Sequence, residues 1–232
     1  MQFAEPLIEA VFVRRYKRFF TDVLLPDGTP LTVHCPNSGS MRNCQPEGGR
    51  CWISDSHNPA RKLRYTLELV EVDGALALVN TAQPNGLVEE AIKDGTITEL
   101  QGYDTLRREV RYADNSRIDL LLESGDRLCY VEVKNVSLGI GDGVLRFPDA
   151  VTTRGVKHLH ALTEMVKAGH RAVQFYCAAR TDARRVEPAD DIDPAYGAAL
   201  RAASAAGVEL LAFRCEASPL GLRLAERVPV FL

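Results

Sequence analysis

Among the 232 residues no apolar run approaches the roughly 18 that a helix needs to span a bilayer, which excludes a transmembrane helix. Residues 1–9 carry acids and lack the basic segment and apolar stretch of a secretory signal, so the expected compartment is the cytoplasm and no membrane partner is expected. There is no excess of positive charge. Lys and Arg total 28 against 31 Asp and Glu, a formal net charge of −3, so a nucleic-acid partner would have to be met by local basic patches. The six cysteines (Cys35, Cys44, Cys51, Cys129, Cys177 and Cys215) include no C-x-x-C pair and no histidine companion at zinc spacing. In a chain without a secretory signal they read as reduced, buried thiols. A composition of 46% hydrophobic and 25% charged residues excludes collagen-like and disordered classes, and the length suits one large domain or two small ones.

Local basic patches are present in the first third. Arg14, Arg15, Lys17 and Arg18 fall within five positions, interleaved with Tyr16, Phe19 and Phe20, and Arg61, Lys62 and Arg64 stand beside Tyr65. Phosphate binding uses such residues, and so does a solvated strand edge guarded against aggregation.

From residue 7 to about 82 the chain reads as strand and turn. Apolar segments at 11–13, 19–25 and 31–33, with Pro26-Asp27-Gly28 supplying a tight turn, predict a hairpin, and three further strands follow at 50–54, 65–72 and 75–80. Short strands without helical period fit a small barrel, for which an OB-like β-barrel is one architecture. The 36–40 segment is read as a turn. Near Pro84 the pattern changes to an α/β one: Leu87, Val88, Ala91 and Ile92 at helical spacing, strands at 106–112, 117–123 and 128–136, and a long helix capped by Thr152 or Thr153. A strand at 172–178, a helix opened by Asp193-Pro194 and a strand at 208–213 complete a mixed sheet with crossover helices. The expected domains are therefore 1–82 and 83–232.

The chemistry concentrates in the second domain. On a strand, Glu132 and Lys134 project from one face while Val131 and Val133 face the other, and Asp119, thirteen positions upstream, lies on a strand that folds back antiparallel. Two carboxylates and an ammonium then converge. A carboxylate pair can share a hard cation such as Mg²⁺ or Mn²⁺, with Lys134 at the attacking water of a phosphodiester hydrolysis. The same spacing also permits a plain ion pair across strand ends.

Asp119 with Glu132-Val133-Lys134 resembles the PD-(D/E)xK nuclease motif. The wider text resembles the sugar fermentation stimulation protein family, through Arg15-Tyr16-Lys17-Arg18-Phe19, His34-Cys35-Pro36-Asn37, Ser116-Arg117-Ile118-Asp119, Tyr130-Val131-Glu132-Val133-Lys134-Asn135-Val136, Phe147-Pro148-Asp149-Ala150-Val151-Thr152 and Arg154-Gly155-Val156-Lys157-His158-Leu159. The resemblance implies an OB-like amino-terminal domain, a restriction-endonuclease-like mixed β-sheet domain flanked by helices, DNA as partner, and a role in sugar catabolism, notably of maltose genes. It puts Asp119 and Glu132 on the metal, Lys134 beside the water, and Glu90, with Glu89 as competitor, as an added carboxylate from the preceding helix. Ile118 stands where the motif's eponymous proline would be.

Arg154, Lys157 and His158 share one helix face, opposite Val156 and Leu159, and would reach a phosphate at the sheet's edge; a solvated face has the same spacing. Residues 147–150 read as a rigid approach loop with Asp149 helping to cap the helix, and the glycine-rich 139–143 stretch as a mobile loop beside the site. Three functions use these features: a Mg²⁺-dependent DNA nuclease, a DNA-binding regulator without turnover, and a small-molecule or RNA binder built on the barrel.

Overall fold

Alternation organises the first strands. In β1 (Ile8–Tyr16) Ala10 and Phe12 are buried while Val11 and Val13 face out, and β2 (Phe20–Leu24) and β3 (Pro30–His34) continue the meander antiparallel. The β1–β2 turn bends through Lys17 and Arg18 at positive φ, and the β2–β3 turn through Gly28 at φ +83°. The computed structural model describes residues 1–113 and 116–232. Strands β4 (Arg50–Asp55), β5 (Tyr65–Val72) and β6 (Ala75–Leu78) give the order β3-β2-β1-β4-β5-β6, and a parallel contact of His34 with Thr66 closes β1 to β5 into a barrel. Phe12, Val33, Ile53, Leu67 and three buried cysteines fill it; all six cysteines are free and buried.

Strand β5 breaks the alternation, because both of its faces are covered. Leu67 and Val70 point into the barrel, whereas Leu69, with Trp52 and Leu78, packs against the second half of the chain. That half begins with α1 (Pro84–Lys93), whose first turn accepts Pro84 because the missing N–H would be unpaired there anyway. A single 3₁₀ turn follows, then β7 (Thr105–Ala113), β8 (Ser116–Ser124) and β9 (Arg127–Val136).

Next come β10 (Leu138–Gly139), β11 (Val144–Phe147), α2 (Thr153–Lys167), β12 (Arg171–Ala178), β13 (Arg185–Pro188), α3 (Pro194–Ala205), β14 (Glu209–Ser218) and β15 (Gly221–Arg227). The main sheet runs β15-β14-β12-β9-β8-β7, parallel across β9/β12 and β12/β14 and antiparallel elsewhere. Helices α2 and α3 cover one face, while α1 and the barrel cover the other. Thr152 caps α2 by accepting the Gly155 N–H at 3.0 Å, and Asp193 caps α3 from the Tyr196 N–H at 3.0 Å.

Three expectations change. The 139–143 stretch holds Gly139 of β10 and the 140–143 turn of the β10–β11 hairpin, closed by Val144 N–H to Gly141 O at 2.9 Å, in a small second sheet with β13. Strand β15, an edge hairpin with β14, extends the sheet beyond the strands read from sequence. Asp149 does not cap α2; it accepts bonds from Ser40 and Met41 of the barrel. Among the described residues no helix is long and apolar enough to cross a membrane.

A candidate carboxylate cleft between barrel and sheet

The β8–β9 ladder runs from the Ser124–Arg127 pair to Leu120–Val131. Just past it, the Asp119 side chain takes the Val133 N–H on Oδ2 at 2.8 Å, so where the β8–β9 pairing stops a carboxylate takes the place of a backbone acceptor. Its Oδ1 accepts from Asn85 Nδ2, in the first turn of α1, at 2.9 Å. Glu132 is 2% exposed. Lys134 Nζ donates to Glu132 Oε1 at 2.6 Å, and His158 Nδ1 meets the same oxygen. Glu132 Oε2 is buried with no hydrogen-bond partner among the described residues. The Glu132 carbonyl accepts from Gln174 Nε2, its register partner on β12, at 3.1 Å.

The two carboxyls titrate in opposite directions. Burial and the neighbouring Glu132 charge push the Asp119 pKa up, and the Val133 N–H and Asn85 only partly offset this. Burial also works against the Glu132 charge, but the His158 hydrogen bond and the Lys134 ammonium outweigh it and hold that carboxyl below its ordinary value.

These groups line a cleft of about 460 Å³. Its opposite wall is the barrel's 36–40 loop, which sequence reading took for a plain turn. Arg15 holds this loop from the barrel side, donating to the carbonyls of Asn37 (2.7 Å), Gly39 (3.0 Å) and Ser40 (3.1 Å) as well as Arg18 (2.9 Å). Asp149 holds it from the sheet side, accepting from Ser40 Oγ at 3.1 Å and Met41 N at 2.9 Å. The approach is close: a Cβ at Gly39 would lie 2.7 Å from the Asp149 carboxylate, which would have to move off the loop it anchors.

The two halves of this architecture match known families. Residues 13–79 match the family described as the SfsA N-terminal OB domain, and residues 82–221 the sugar fermentation stimulation protein RE domain. The chain belongs to the sugar fermentation stimulation protein family. It is 57% identical over 233 residues to a sugar fermentation stimulation protein homolog of Geobacter metallireducens, covering 100% of both chains. A homolog of Pelobacter propionicus is 56% identical over 227 residues, covering 98% of each. Among solved structures it is similar to that of Pyrococcus furiosus SfsA in complex with Ca²⁺, with a TM-score of 0.89 and 25% identity over 100% of this chain and 98% of that one.

Within this family member the residues singled out by sequence divide into three groups. Asp119, Glu132, Lys134, Arg154 and His158 line the cleft together. Lys17, Arg18, Arg61, Lys62 and Lys157 are exposed and lie outside its lining, while Arg15 is occupied with the loop carbonyls. Glu90 is not in the cleft. Its side chain, 48% exposed, pairs with the Met1 amino group at 2.5 Å, and Glu89 pairs with Lys93 at 2.6 Å. Helix α1 contributes Asn85 instead, one turn earlier, which a search for acids passes over. Arg146 of β11 also lines the cleft and was missed; it directly precedes the 147–150 loop that the sequence did mark.

Proposed function

We propose that the chain is a DNA-binding protein whose cleft holds Mg²⁺ or Mn²⁺ on Asp119 and Glu132 and hydrolyses a phosphodiester, and that through DNA it acts in the control of sugar catabolism, maltose genes included. The observation that carries this reading is Glu132 Oε2, a buried carboxylate oxygen with no partner among the described residues, beside the second carboxylate of Asp119. A buried charged oxygen left free is costly unless a ligand meets it, and hard cations are the ligands that carboxylate oxygens suit. Among the described residues no group of three or more His, Cys, Asp or Glu side chains is arranged so that all could ligate one metal ion. The protein's share would be two carboxylates, in keeping with Mg²⁺, which retains several waters and takes one or two carboxylates. The Ca²⁺ complex of the Pyrococcus relative supports an oxygen-ligand site in this fold.

When bound, the cation supplies Lewis-acid polarisation of the phosphodiester and neutralises part of its charge. The remaining work falls to the chain. Asn85 and the Val133 N–H hold Asp119 in place, Lys134 positions the attacking water, and Arg146 and Arg154 on the cleft lining attract phosphate oxygens. Lys17, Arg18, Arg61, Lys62 and Lys157 add exposed positive charge along the duplex.

A second reading, a regulator on the same fold without turnover, is favoured by the Lys134 contact to Glu132 at 2.6 Å, in which an ammonium neutralises the carboxylate without a metal ion. Mn²⁺ calorimetry and plasmid cleavage on the full chain separate the two. Cleavage that Lys134→Ala abolishes while Mn²⁺ binding persists is expected for the nuclease; Mn²⁺ binding and DNA binding without cleavage in the unmutated protein would favour the regulator, and no Mn²⁺ binding would defeat the metal reading.

A further inference from the structure

His158 occupies a place that neither a solvated helix face nor a phosphate contact explains. It is 6% exposed, on the α2 face toward the cleft, and both of its ring nitrogens are engaged inside the protein. Arg154 Nε lies 3.2 Å from His158 Nε2. A guanidinium can only donate, so Nε2 accepts and the ring proton sits on Nδ1, facing Glu132 Oε1. The Lys134 ammonium, 3.1 Å from the same Nδ1, is also donor-only, so its partner is the carboxylate oxygen at 2.6 Å and not the ring. Two donors thus converge on Oε1 and none on Oε2.

The geometry points to His158 as a positioning residue that clamps one oxygen of Glu132 and thereby aims the other at a divalent cation, with Arg154 setting the tautomer; this rests on the metal reading above. The rotation of a carboxylate about its last bond is free unless one oxygen is held. Here the holding group is carried by rigid structure on both sides. Beneath it, Gln174 fixes the Glu132 carbonyl at 3.1 Å; above it, Leu159 and Leu162 bury the adjoining face of the capped helix α2. The logic is that of a metal ligand oriented by an outer hydrogen bond, with the usual roles exchanged: the imidazole orients and the carboxylate ligates.

The test compares variants of the full chain by Mn²⁺ calorimetry and by thermal melting of the metal-free protein. His158→Ala should weaken Mn²⁺ binding roughly 10- to 100-fold, the usual cost of losing an outer-shell partner. The asparagine amide overlays Nδ1 and the glutamine amide overlays Nε2, so His158→Asn should restore affinity close to the unmutated value while His158→Gln should not, even if their melting temperatures agree. This pair keeps the test decisive should the alanine variant fail to fold. An unchanged affinity in His158→Ala, or equal affinities in the Asn and Gln variants, overturns the positioning role in a protein that does bind Mn²⁺. An unmutated protein that binds no Mn²⁺ overturns the metal reading itself, and the positioning role with it. ¹⁵N NMR of the imidazole in metal-free protein should find the proton on Nδ1; the opposite tautomer overturns the assignment to Arg154.

Discussion

Two glutamates in this molecule are almost equally buried, Glu68 in the barrel at 3% exposed and Glu132 in the sheet at 2%, and they are treated in opposite ways. Glu68 Oε1 accepts from Ser54 Oγ at 2.7 Å, and its Oε2 accepts from Asn80 Nδ2 at 2.7 Å and Gln83 Nε2 at 3.2 Å. Both of its oxygens are therefore used, on neutral donors, two of which belong to the segment joining barrel and sheet. Glu132 has both cationic and imidazole donors crowded on one oxygen and nothing on the other. Burial is thus no guide to role; the completeness of the hydrogen bonding is. Glu68 fastens the joint between the two halves, and Glu132 keeps one buried oxygen without a partner among the described residues.

The largest effect that would break this comparison concerns the cation. Asp119→Asn and Glu132→Gln should each remove most Mn²⁺ binding, since an amide oxygen carries no full charge for a hard ion, whereas Glu68→Gln should leave Mn²⁺ affinity as it was. Calorimetry on the three proteins decides this, and a Glu68 variant that loses Mn²⁺ would erase the distinction.

Stability should show the reverse ranking for Glu68. Replacing its carboxylate by an amide turns an NH₂ donor toward donors and leaves at least one of them unpaired, at a cost of about 1–3 kcal/mol measurable by urea denaturation. Arg15 invites the same treatment within the barrel. Its guanidinium serves four carbonyls, so Arg15→Met should lower stability by about 1–3 kcal/mol. Lys17→Ala with Arg18→Ala should leave stability alone and flatten the salt dependence of DNA binding by about 0.9 log unit per lost phosphate contact. A flat slope in Arg15→Met with unchanged stability would return Arg15 to the phosphate contacts.

The smallest expected effect is a tilt with pH in the metal-free protein. Asp119 has its pKa raised above the ordinary 3.8, so its carboxyl contributes least to stability once ionised; Asp119→Asn should gain on the unmutated protein as pH rises from about 3.8 through the raised value. Glu132 has its pKa lowered below the ordinary 4.5, so its contribution is complete above 4.5 and lost as pH falls through the lowered value. The deficit of Glu132→Gln should accordingly shrink in acid. Thermal melts from pH 3 to pH 7 read both slopes, and parallel slopes would show that the two carboxyls do not differ.

Much of this was open to inspection in the one-dimensional text. Alternation alone put Glu132 and Lys134 on one face of β9, and helical spacing with Thr152 and Asp193 as caps located α2 and α3. The change from strand grammar to mixed grammar near Pro84 falls between β6 and α1. Periodicity and capping are read within a few residues, because they depend on neighbours along the chain.

What tertiary structure decided is which partner each polar group meets. Periodicity put His158 on the polar face of α2, yet that face turns toward Glu132, 26 residues away in sequence, and buries the ring. Acid type favoured Glu90, but α1 lies so that Asn85 reaches Asp119 across 34 residues while Glu90 meets the amino terminus. Arg15 sits in a basic patch by sequence, yet the 36–40 loop brings three carbonyls and the β1–β2 turn a fourth within reach of its guanidinium, and Asp149 is that loop's second anchor, reaching Met41 across 108 residues. Sequence determined the faces and the residue types available on them. A buried charge, however, is satisfied by whichever donor packing brings within about 3 Å, and that distance is set by the docking of barrel, helices and sheet rather than by any local pattern.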